Sequence, residues 1–283
     1  METRQYTIRT MQPQDVTMAV EWAAAEGWNP GLHDAECYRV ADPNGFLVGL
    51  LGDEPIAVIS VIKYSAAFGF LGFYIVKPEY RGQGYGIQIW NAGLEYLKGA
   101  NIGLDGVVEQ QDNYKQSGFK LAYRNIRYEG LGGGDEPDNS RIVALSTLPF
   151  EVVESYDRPF LPADRSQFIQ AWINQPDCHA LGVMQDGELA GYGVIRQCRS
   201  GYKIAPLYAD TPELAEQLFL ALKSRVSSSD PIYLDTPEQN QAAVSLAERH
   251  NMTVSFETAR MYTQETPTLP VERLFGVASF EIG

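Results

Sequence analysis

The amino-acid sequence predicts an α/β protein of two tandem domains, each with a mixed, mostly antiparallel sheet flanked by helices. The chain has 283 residues, too many for one small domain, and 45% of them are hydrophobic, enough for ordinary cores. Apolar, β-branched runs alternate with segments of helical periodicity. The order of these elements in the first half recurs in the second half, which indicates a duplicated fold.

Apolar runs and helical periodicity locate the elements of the first half. Strands are predicted over residues 6–9, 46–51, 56–64, 68–76, 102–108 and 119–127. Helices are predicted over residues 14–27, 34–41, 87–97 and 110–117. The Gly-Asp-Glu-Pro turn at residues 52–55 joins the second and third strands in a hairpin.

The segment at residues 131–138 is the most linker-like part of the chain. It combines glycine, proline and acidic residues and has no apolar face. We therefore predict one domain over residues 1–132 and a second over residues 140–283. A long loop inside one domain is the alternative interpretation of the same composition.

Three features of the first half recur in the same order in the second. Residues 48–57 resemble residues 181–190, since both are predicted to form strand, acidic turn and strand. The Leu-Asp pair at residues 104–105 matches the pair at residues 234–235, and a helix start rich in Glu, Gln and Asn follows each. Closing strands are then predicted over residues 120–128 and 253–262. The repeated order favours duplication over chance.

The charge composition argues against nucleic acid and membrane surfaces as partners. The formal net charge is −14, and a surface that negative repels phosphate backbones and anionic lipids but attracts a cationic substrate such as an amine. Residues 1–5 lack an apolar signal core, and no uncharged apolar run reaches the length of a bilayer span. We expect a cytoplasmic protein.

The cysteines and histidines give no support for a disulfide framework or a metal site. An odd number of cysteines without Cys-x-x-Cys spacing is typical of reduced thiols, and no His/Cys cluster has ligand spacing. The residues concerned are Cys37, Cys178, Cys198, His33, His179 and His250. We expect no metal.

Residues 81–86, Arg-Gly-Gln-Gly-Tyr-Gly, form a glycine-rich turn between a predicted strand and a predicted helix. The first amides of a helix have no internal acceptors, and the helix dipole places partial positive charge there. Glycines let these amides approach an anion, and Arg81 and Lys77 add positive charge. The context therefore predicts a pyrophosphate site. It matches neither the dinucleotide fingerprint nor the Gly-Lys-Ser/Thr loop of nucleotide triphosphate sites.

The second half lacks this turn. The equivalent residues 205–213 contain no glycine, and they carry acids where a phosphate would bind. Asp210 or Thr211 can cap the next helix, with Pro212 at its first position. We therefore expect only the first half to hold a phosphate group.

Two motifs of the first half carry a family resemblance. The first is Arg81-x-x-Gly84-x-Gly86 after the Val-x-Pro-Glu-Tyr segment at residues 76–80, and the second is Asn-Tyr-Lys-Gln-Ser-Gly-Phe at residues 113–119. They resemble the acyl-CoA signature and the later Tyr-x-x-x-Gly-Phe motif of the GNAT superfamily of N-acetyltransferases. The resemblance covers residues 1 to about 130.

The second half resembles the divergent C-terminal acetyltransferase-like domain of two-domain members of that superfamily. Its markers are Gly191-Tyr192-Gly193, Arg196, Ala205-Pro206 and the closing segment with Glu281-Ile282-Gly283.

The resemblance implies an N-acyltransferase that moves an acetyl group from acetyl-CoA to a primary amine by direct attack. It implies that main-chain groups of the strand ending at Val76 bind the pantetheine arm, that the glycine-rich turn binds the pyrophosphate, and that Tyr114 protonates the leaving thiolate. The cofactor-binding residues it implies are Tyr74, Ile75, Val76, Arg81, Gly82, Gln83, Gly84, Tyr85, Gly86 and Ile87.

The sequence departs from the family pattern at the proton acceptor. Many relatives have an Asn seven residues before the tyrosine, where this chain has Val107, and an acid on the strand before the turn, where residues 68–76 have none. Glu109 is our first choice for the base and Asp105 the second. The alternatives are a helix-capping role for Glu109 and a structural role for Asp105.

The Trp-Asn-Pro-Gly stop at residues 28–31 corresponds to the loop that borders the acceptor site in the superfamily, so Trp28 and Asn29 are candidate acceptor contacts. A simple helix stop is the alternative interpretation of these residues. The alternative for Tyr114 is that it is only a core residue. For Arg196 we favour a structural ion pair over a place in the cleft between the halves.

Three functional hypotheses follow. The first is acetyl transfer to a small-molecule or peptide amine, with the second half shaping the acceptor pocket or a homodimer interface. The second is a CoA-binding sensor without turnover. The third is an interaction protein in which the glycine-rich segment is only a turn.

Overall fold

The computed structural model describes residues 4–283; residues 1–3, which belong to the segment without a signal core, lie outside the described part. The first half contains ten helices and strands within that part. In chain order they are β1 (Tyr6–Thr10), α1 (Pro13–Ala25), α2 (Asp34–Ala41), β2 (Phe46–Leu51), β3 (Glu54–Lys63), β4 (Phe68–Val76), α3 (Tyr85–Tyr96), β5 (Asn101–Val107), α4 (Gln111–Gln116) and β6 (Lys120–Leu131).

The second half repeats this order and then adds one short strand. Its elements are β7 (Ile142–Ala144), α5 (Phe150–Asp157), α6 (Ser166–Ile173), β8 (Cys178–Gln185), β9 (Glu188–Gln197), β10 (Tyr202–Ala209), α7 (Pro212–Lys223), β11 (Pro231–Pro237), α8 (Gln241–Arg249), β12 (Thr253–Tyr262) and β13 (Leu274–Gly276). The order of elements from β7 to β12 is the same as that from β1 to β6, so the duplication inferred from the amino-acid sequence is present in the fold.

Local sequence explains where the helices begin. Helix α7 starts as predicted, since Thr211 accepts a hydrogen bond from the Leu214 amide at 3.3 Å and Pro212 occupies the first position. Helix α8 is capped by Asn240. Helix α3 differs, because its N-cap is Gly84 and no side chain caps it. Its first amides are left for another acceptor.

The strands form one mixed, mostly antiparallel sheet with helices on both faces, as the sequence predicts for each half. Across the sheet, the strands of the described residues lie in the order β1-β2-β3-β4-β5-β12-β6-β11-β10-β9-β8-β7, with β13 paired to β10. Among the strands of residues 4–283, only β4 with β5 and β10 with β11 run parallel. Side chains of β3 alternate between the faces: Ile59 packs with the core under α3, and Val58 with the core under α1 and α2.

The two halves exchange their closing strands. Strand β12, from the second half, lies between β5 and β6 of the first half. Strand β6, from the first half, pairs with β11 of the second half. The sheet is therefore continuous across the predicted boundary. The division into domains at residues 1–132 and 140–283 stays a prediction.

A buried aspartate–arginine pair stabilises each exchanged strand. Asp105 of β5 lies opposite Arg260 of β12, with N–O distances of 2.8 and 2.5 Å. Asp235 of β11 lies opposite Arg127 of β6, with distances of 2.6 and 2.8 Å. None of the four side chains is more than 6% exposed. Such bidentate pairs are strong and directional, so they fix the register of the exchanged strands.

We expect Asp235→Asn to lower the free energy of unfolding by about 3–5 kcal/mol, because it leaves the buried guanidinium of Arg127 without a counter-charge. Urea denaturation followed by tryptophan fluorescence measures the loss. The control is Glu95→Gln, which removes an exposed carboxylate paired with Lys98 and should cost less than about 1 kcal/mol. Equal losses in the two variants would contradict the role of the buried pair.

The stabilisation by Asp235 should also depend on pH. Burial opposes ionisation of Asp235, but the charges of Arg127 and Lys203 outweigh it and hold its pKa below the usual value. A depressed folded-state pKa means that the stabilisation is complete above the unfolded pKa of about 4 and is lost as pH falls through the folded-state pKa. The difference in free energy of unfolding between wild type and Asp235→Asn should therefore shrink in acid. A difference that stays constant with pH would contradict this.

Candidate active site

The central feature of the first half is a gap that opens between β4 and β5. The two strands pair only from Phe68 with Asn101 to Leu71 with Leu104. Beyond this point β4 carries a bulge, with a register shift against β3 and a positive φ of 46° at Phe73. A bulky residue in this region of backbone space is rare and marks a functional site. The edge of β4 from Tyr74 to Val76 consequently has no partner on the β5 side.

The gap is part of a cleft of about 340 Å³. Its walls include the edges of β4 and β5, and the second half contributes side chains from β12 and from the segment after β13. The lining residues are Glu26, Trp28, Leu71, Gly72, Phe73, Tyr74, Ile75, Val76, Arg81, Leu104, Asp105, Gly106, Val107, Gln110, Tyr114, Arg127, Phe256, Thr258, Phe280 and Glu281. This size suits a small molecule or one end of a larger one.

Helix α3 begins at Tyr85, four residues after Arg81, which lines the cleft. Gly82 and Gly84 have φ values of 74° and 85°, a conformation that glycine adopts without strain. There is no side-chain cap and no acid in the first turn of the helix. Arg81 donates to the Val76 carbonyl at 2.8 Å and contacts Glu26 at 2.5 Å. The N-terminus of α3 therefore has the properties of an anion site.

The cofactor residues predicted from the sequence fall into two adjacent groups. Tyr74, Ile75, Val76 and Arg81 line the cleft itself. The others form the turn and the start of α3, where they are exposed or half-buried and outside the lining. This second group comprises Gly82, Gln83, Gly84, Tyr85, Gly86 and Ile87.

Tyr114 reaches the cleft from α4. Its ring stacks on Trp90 at a centroid distance of 5.7 Å and lies so close to Gly106 that a Cβ there would be 2.1 Å from the ring. Its hydroxyl forms no hydrogen bond with any residue of the described chain, which leaves it available to a ligand. Burial raises the pKa of Tyr114 to about 12, so the residue stays a phenol at neutral pH.

The two residues that the sequence suggested as base are differently placed. Asp105 lines the cleft, but Arg260 and Asn125 Nδ2 occupy its oxygens, the latter at 2.8 Å. This pairing agrees with the structural alternative for Asp105. Glu109 is exposed and does not belong to the lining. Glu281 does line the cleft and is only 5% exposed, yet sequence analysis used it only as a marker of the second domain.

The two candidate acceptor contacts also lie in different places. Trp28 lines the cleft, and its carbonyl accepts a hydrogen bond from Arg127 at 2.8 Å. Asn29 lies outside the lining; its amide exchanges two hydrogen bonds of 2.9 Å with the Ser200 backbone of the second half. Trp28 therefore stays a predicted acceptor contact. The amide group of Asn29 is already paired with the second half, which argues against its contact with an acceptor.

Thr258 of β12 contributes an unpaired polar group to the cleft. It is 2% exposed, and its hydroxyl has no hydrogen-bond partner within residues 4–283. A buried hydroxyl without a partner costs free energy, so such groups are uncommon outside functional sites.

The matching gap of the second half is closed by the chain itself. Strands β10 and β11 pair over Tyr202–Ile204 and then separate, as β4 and β5 do. Here β13 pairs with β10 at Leu207 and Tyr208, and the Phe275 carbonyl accepts a hydrogen bond from Thr236 of β11 at 3.0 Å. The second half thus has no open cleft at this position, in agreement with the absence of the glycine-rich turn.

Neither a metal site nor a membrane-spanning helix is found in the described chain. No group of three or more His, Cys, Asp or Glu residues within residues 4–283 is arranged to hold a metal ion. In the same range, no helix has both the length and the apolar composition that crossing a bilayer requires.

Two models of one family match the chain. A model described as "Acetyltransferase (GNAT) family" matches residues 12–119, and one described as "Acetyltransferase (GNAT) domain" matches residues 153–276. Together they span more than half of the chain, and each falls in one of the repeated halves.

Several relatives match this chain over nearly its whole length. Holothin acyltransferase from Pseudoalteromonas sp. (strain SANK 73390) is 28% identical over 284 residues, which cover 100% of this chain and 96% of that protein. A crystal structure from Pyrococcus horikoshii, assigned to the acetyltransferases, has a TM-score of 0.83 at 23% identity and covers 100% of this chain and 98% of its own. A tandem GNAT protein from the clavulanic acid biosynthesis pathway has a TM-score of 0.65 at 12% identity, covering 93% and 100%.

The chain belongs to the GNAT acetyltransferase family as a member with two GNAT domains. It is an acyltransferase, and its reaction therefore has an acceptor substrate.

We expect Thr258→Val to leave the free energy of unfolding unchanged or to raise it, because valine removes a buried hydroxyl that has no partner. The matched control is Thr236→Val, which removes a buried hydroxyl that donates to the Phe275 carbonyl. That variant should lose about 1–2 kcal/mol. Urea denaturation compares them, and equal losses would show that the Thr258 hydroxyl has a partner inside the folded chain.

Proposed function

We propose that this acyltransferase transfers an acetyl group from acetyl-CoA to a primary amine. The observation that carries the proposal is the gap between β4 and β5, which has the uncapped start of α3 at one side and the hydroxyl of Tyr114 in its wall. An acyl-CoA has a long narrow arm, which fits a gap between strands, and a pyrophosphate, which fits a free helix N-terminus.

The residues present suit this co-substrate. The unpaired edge of β4 at Tyr74, Ile75 and Val76 can exchange main-chain hydrogen bonds with an amide-containing arm. The amides from Gly82 to Ile87 can bind the pyrophosphate, with Arg81 adding positive charge. Bound acetyl-CoA supplies an activated acyl carbon, whose bond to sulfur breaks as the amine nitrogen bonds to it.

We assign to Tyr114 the protonation of the leaving sulfur. A phenol whose pKa is about 12 carries its proton throughout the neutral range, so it can act as the acid in every turnover. The free amides of β4 can donate to the carbonyl oxygen as negative charge develops there. Both groups act on the acyl-CoA side of the cleft.

The acceptor side of the cleft favours a small amine with an apolar or aromatic body. Trp28, Phe73, Phe256 and Phe280 provide aromatic walls, and the chain carries a net charge of −14 that attracts cations. The relative from Pseudoalteromonas is named for holothin. Holothin is therefore the first acceptor to test, beside a panel of simple primary amines.

Isothermal titration should show that one acetyl-CoA binds per chain and that Arg81→Glu weakens binding roughly tenfold or more, because a charge-assisted contact to phosphate becomes repulsive. Lys98→Glu is the control, since it makes the same charge change at an exposed site beyond the other end of α3. An undiminished affinity in Arg81→Glu, or two molecules bound per chain, would argue against the site.

Tyr114→Phe should lower kcat by roughly 100-fold or more while the dissociation constant of acetyl-CoA stays unchanged, because only the proton donor is lost. The measurement is release of free thiol from acetyl-CoA in the presence of an amine. Tyr128→Phe is the control, a buried tyrosine on β6 outside the cleft. Full activity in Tyr114→Phe would remove the acid role. Wild-type protein that binds acetyl-CoA but acetylates no amine would support the sensor hypothesis instead.

A further inference from the structure

We propose that Glu281 accepts the proton of the attacking amine, so that the second half supplies a catalytic residue to the active site of the first. This inference rests on the proposed function, acetyl transfer to an amine. It depends on where the last residues of the chain run and on which carboxylate of the cleft is free to take a proton.

The segment after β13, residues 277–283, which we term the tail, is buried against the first half. Ser60 donates to the Glu281 carbonyl at 3.0 Å, and Tyr64 donates to the Ile282 carbonyl at 2.8 Å. At Gly72 of β4 a Cβ would lie 2.1 Å from the Glu281 carbonyl oxygen, so this close approach requires glycine. The tail therefore passes β4 immediately before the bulge at Phe73, where the gap opens.

Three carboxylates line the cleft, and two of them are paired with arginine. Glu26 contacts Arg81. Asp105 is held by Arg260 and Asn125. Glu281 has no Lys, Arg or His nitrogen within 4.0 Å among the described residues, although it is 5% exposed. A buried carboxylate without a counter-charge is costly and needs a functional reason.

Neutral donors orient the Glu281 carboxylate. The Tyr38 hydroxyl of α2 lies 3.0 Å from Oε2 and 3.2 Å from Asp34 Oδ2, so the two carboxylates share its one proton. Ser279 donates to Oε2 at 2.7 Å. Oε1 accepts no hydrogen bond from any residue that the structure describes. Hydroxyl donors stabilise the carboxylate without cancelling its charge, and they leave Oε1 to receive a proton.

The charged and titratable groups around Glu281 have partners of their own, so we assign the role of base to Glu281. On α2, Asp34 is neutralised by Arg196 at 2.7 and 2.9 Å, and burial raises the pKa of Tyr38 well above its usual value, so Tyr38 remains a donor. On β5 and β6, Asp105 and Arg127 each have their own partner of opposite charge. Glu281 is thus the carboxylate of the cleft that has no ion-pair partner among the described residues, although it feels the charge of Arg127, and its negative charge also favours a cationic amine.

The proton transfers balance. An amine that binds as a cation first loses one proton to solvent. Glu281 Oε1 then takes one proton from the neutral amine nitrogen as the nitrogen–carbon bond forms, and Tyr114 gives one proton to sulfur as the carbon–sulfur bond breaks. Solvent then removes the proton from Glu281 and returns one to Tyr114. The sum is an amide and a free thiol from a neutral amine and a thioester, with no other reactant.

The test compares Glu281→Gln with Glu109→Gln, the rival base, and with Glu257→Gln, an exposed carboxylate outside the cleft. Glutamine keeps an oxygen that can accept from Tyr38 and Ser279, so the fold should be retained. The first readout is the pH dependence of kcat/KM for thiol release with acetyl-CoA and holothin or benzylamine. The second is calorimetric binding of acetyl-CoA and, separately, of benzylamine.

In Glu281→Gln we expect kcat/KM to fall roughly 100-fold or more and to decline less steeply at acidic pH, where protonation of the amine itself remains. Acetyl-CoA affinity should be unchanged, whereas benzylamine, bound as a cation, should bind more weakly. Unchanged kcat/KM, acidic decline and benzylamine binding in Glu281→Gln would overturn the proposal, most clearly if Glu109→Gln is the impaired variant. Wild-type protein that binds acetyl-CoA but acetylates neither amine would overturn the proposed function and this inference together.

Discussion

The two buried aspartate–arginine pairs at the centre of the sheet determine where an active site can form. Asp105 with Arg260 joins β12 to β5, and Asp235 with Arg127 joins β6 to β11. Because the closing strands are exchanged, the cleft of the first half has a wall from the second half. Phe256 and Thr258 enter the cleft on β12, and the tail that follows brings Phe280 and Glu281. The halves therefore act as one unit.

Duplication followed by divergence explains why one half keeps an open cleft and the other does not. Both halves separate the same two parallel strands, β4 from β5 and β10 from β11. In the first half the gap is open beside an uncapped helix. In the second half β13 occupies the position and Thr211 caps α7. The second half has thus become a support that completes the cleft of the first.

Much of this arrangement could be predicted from the sequence because it is encoded locally. Periodicity and turn residues predicted helix α2 and strands β2 and β4 with the bounds they have in the structure. The glycine-rich turn identified the start of α3, since an uncapped helix after a strand has a local signature. The recurrence of Asp235 at the position of Asp105 suggested a structural role for Asp105, and both carboxylates are paired with an arginine in the structure.

The remaining features depend on contacts between residues far apart in the sequence. Strand exchange leaves no local signal, since β6 and β12 have the same alternating pattern whichever half they pair with. For the same reason the sequence did not show that Asn29 pairs with Ser200, or that Glu281 reaches β4 across the molecule. Gly72 was the one available signal, because a glycine inside a strand indicates close approach of another backbone.

The most direct test of the central claim is a crystal structure of the protein with CoA and benzylamine. The structure described here predicts one CoA in the gap between β4 and β5, with its sulfur beside the hydroxyl of Tyr114 and the amine nitrogen beside Glu281. CoA bound elsewhere, or an amine on the far side of the sheet from the tail, would contradict it.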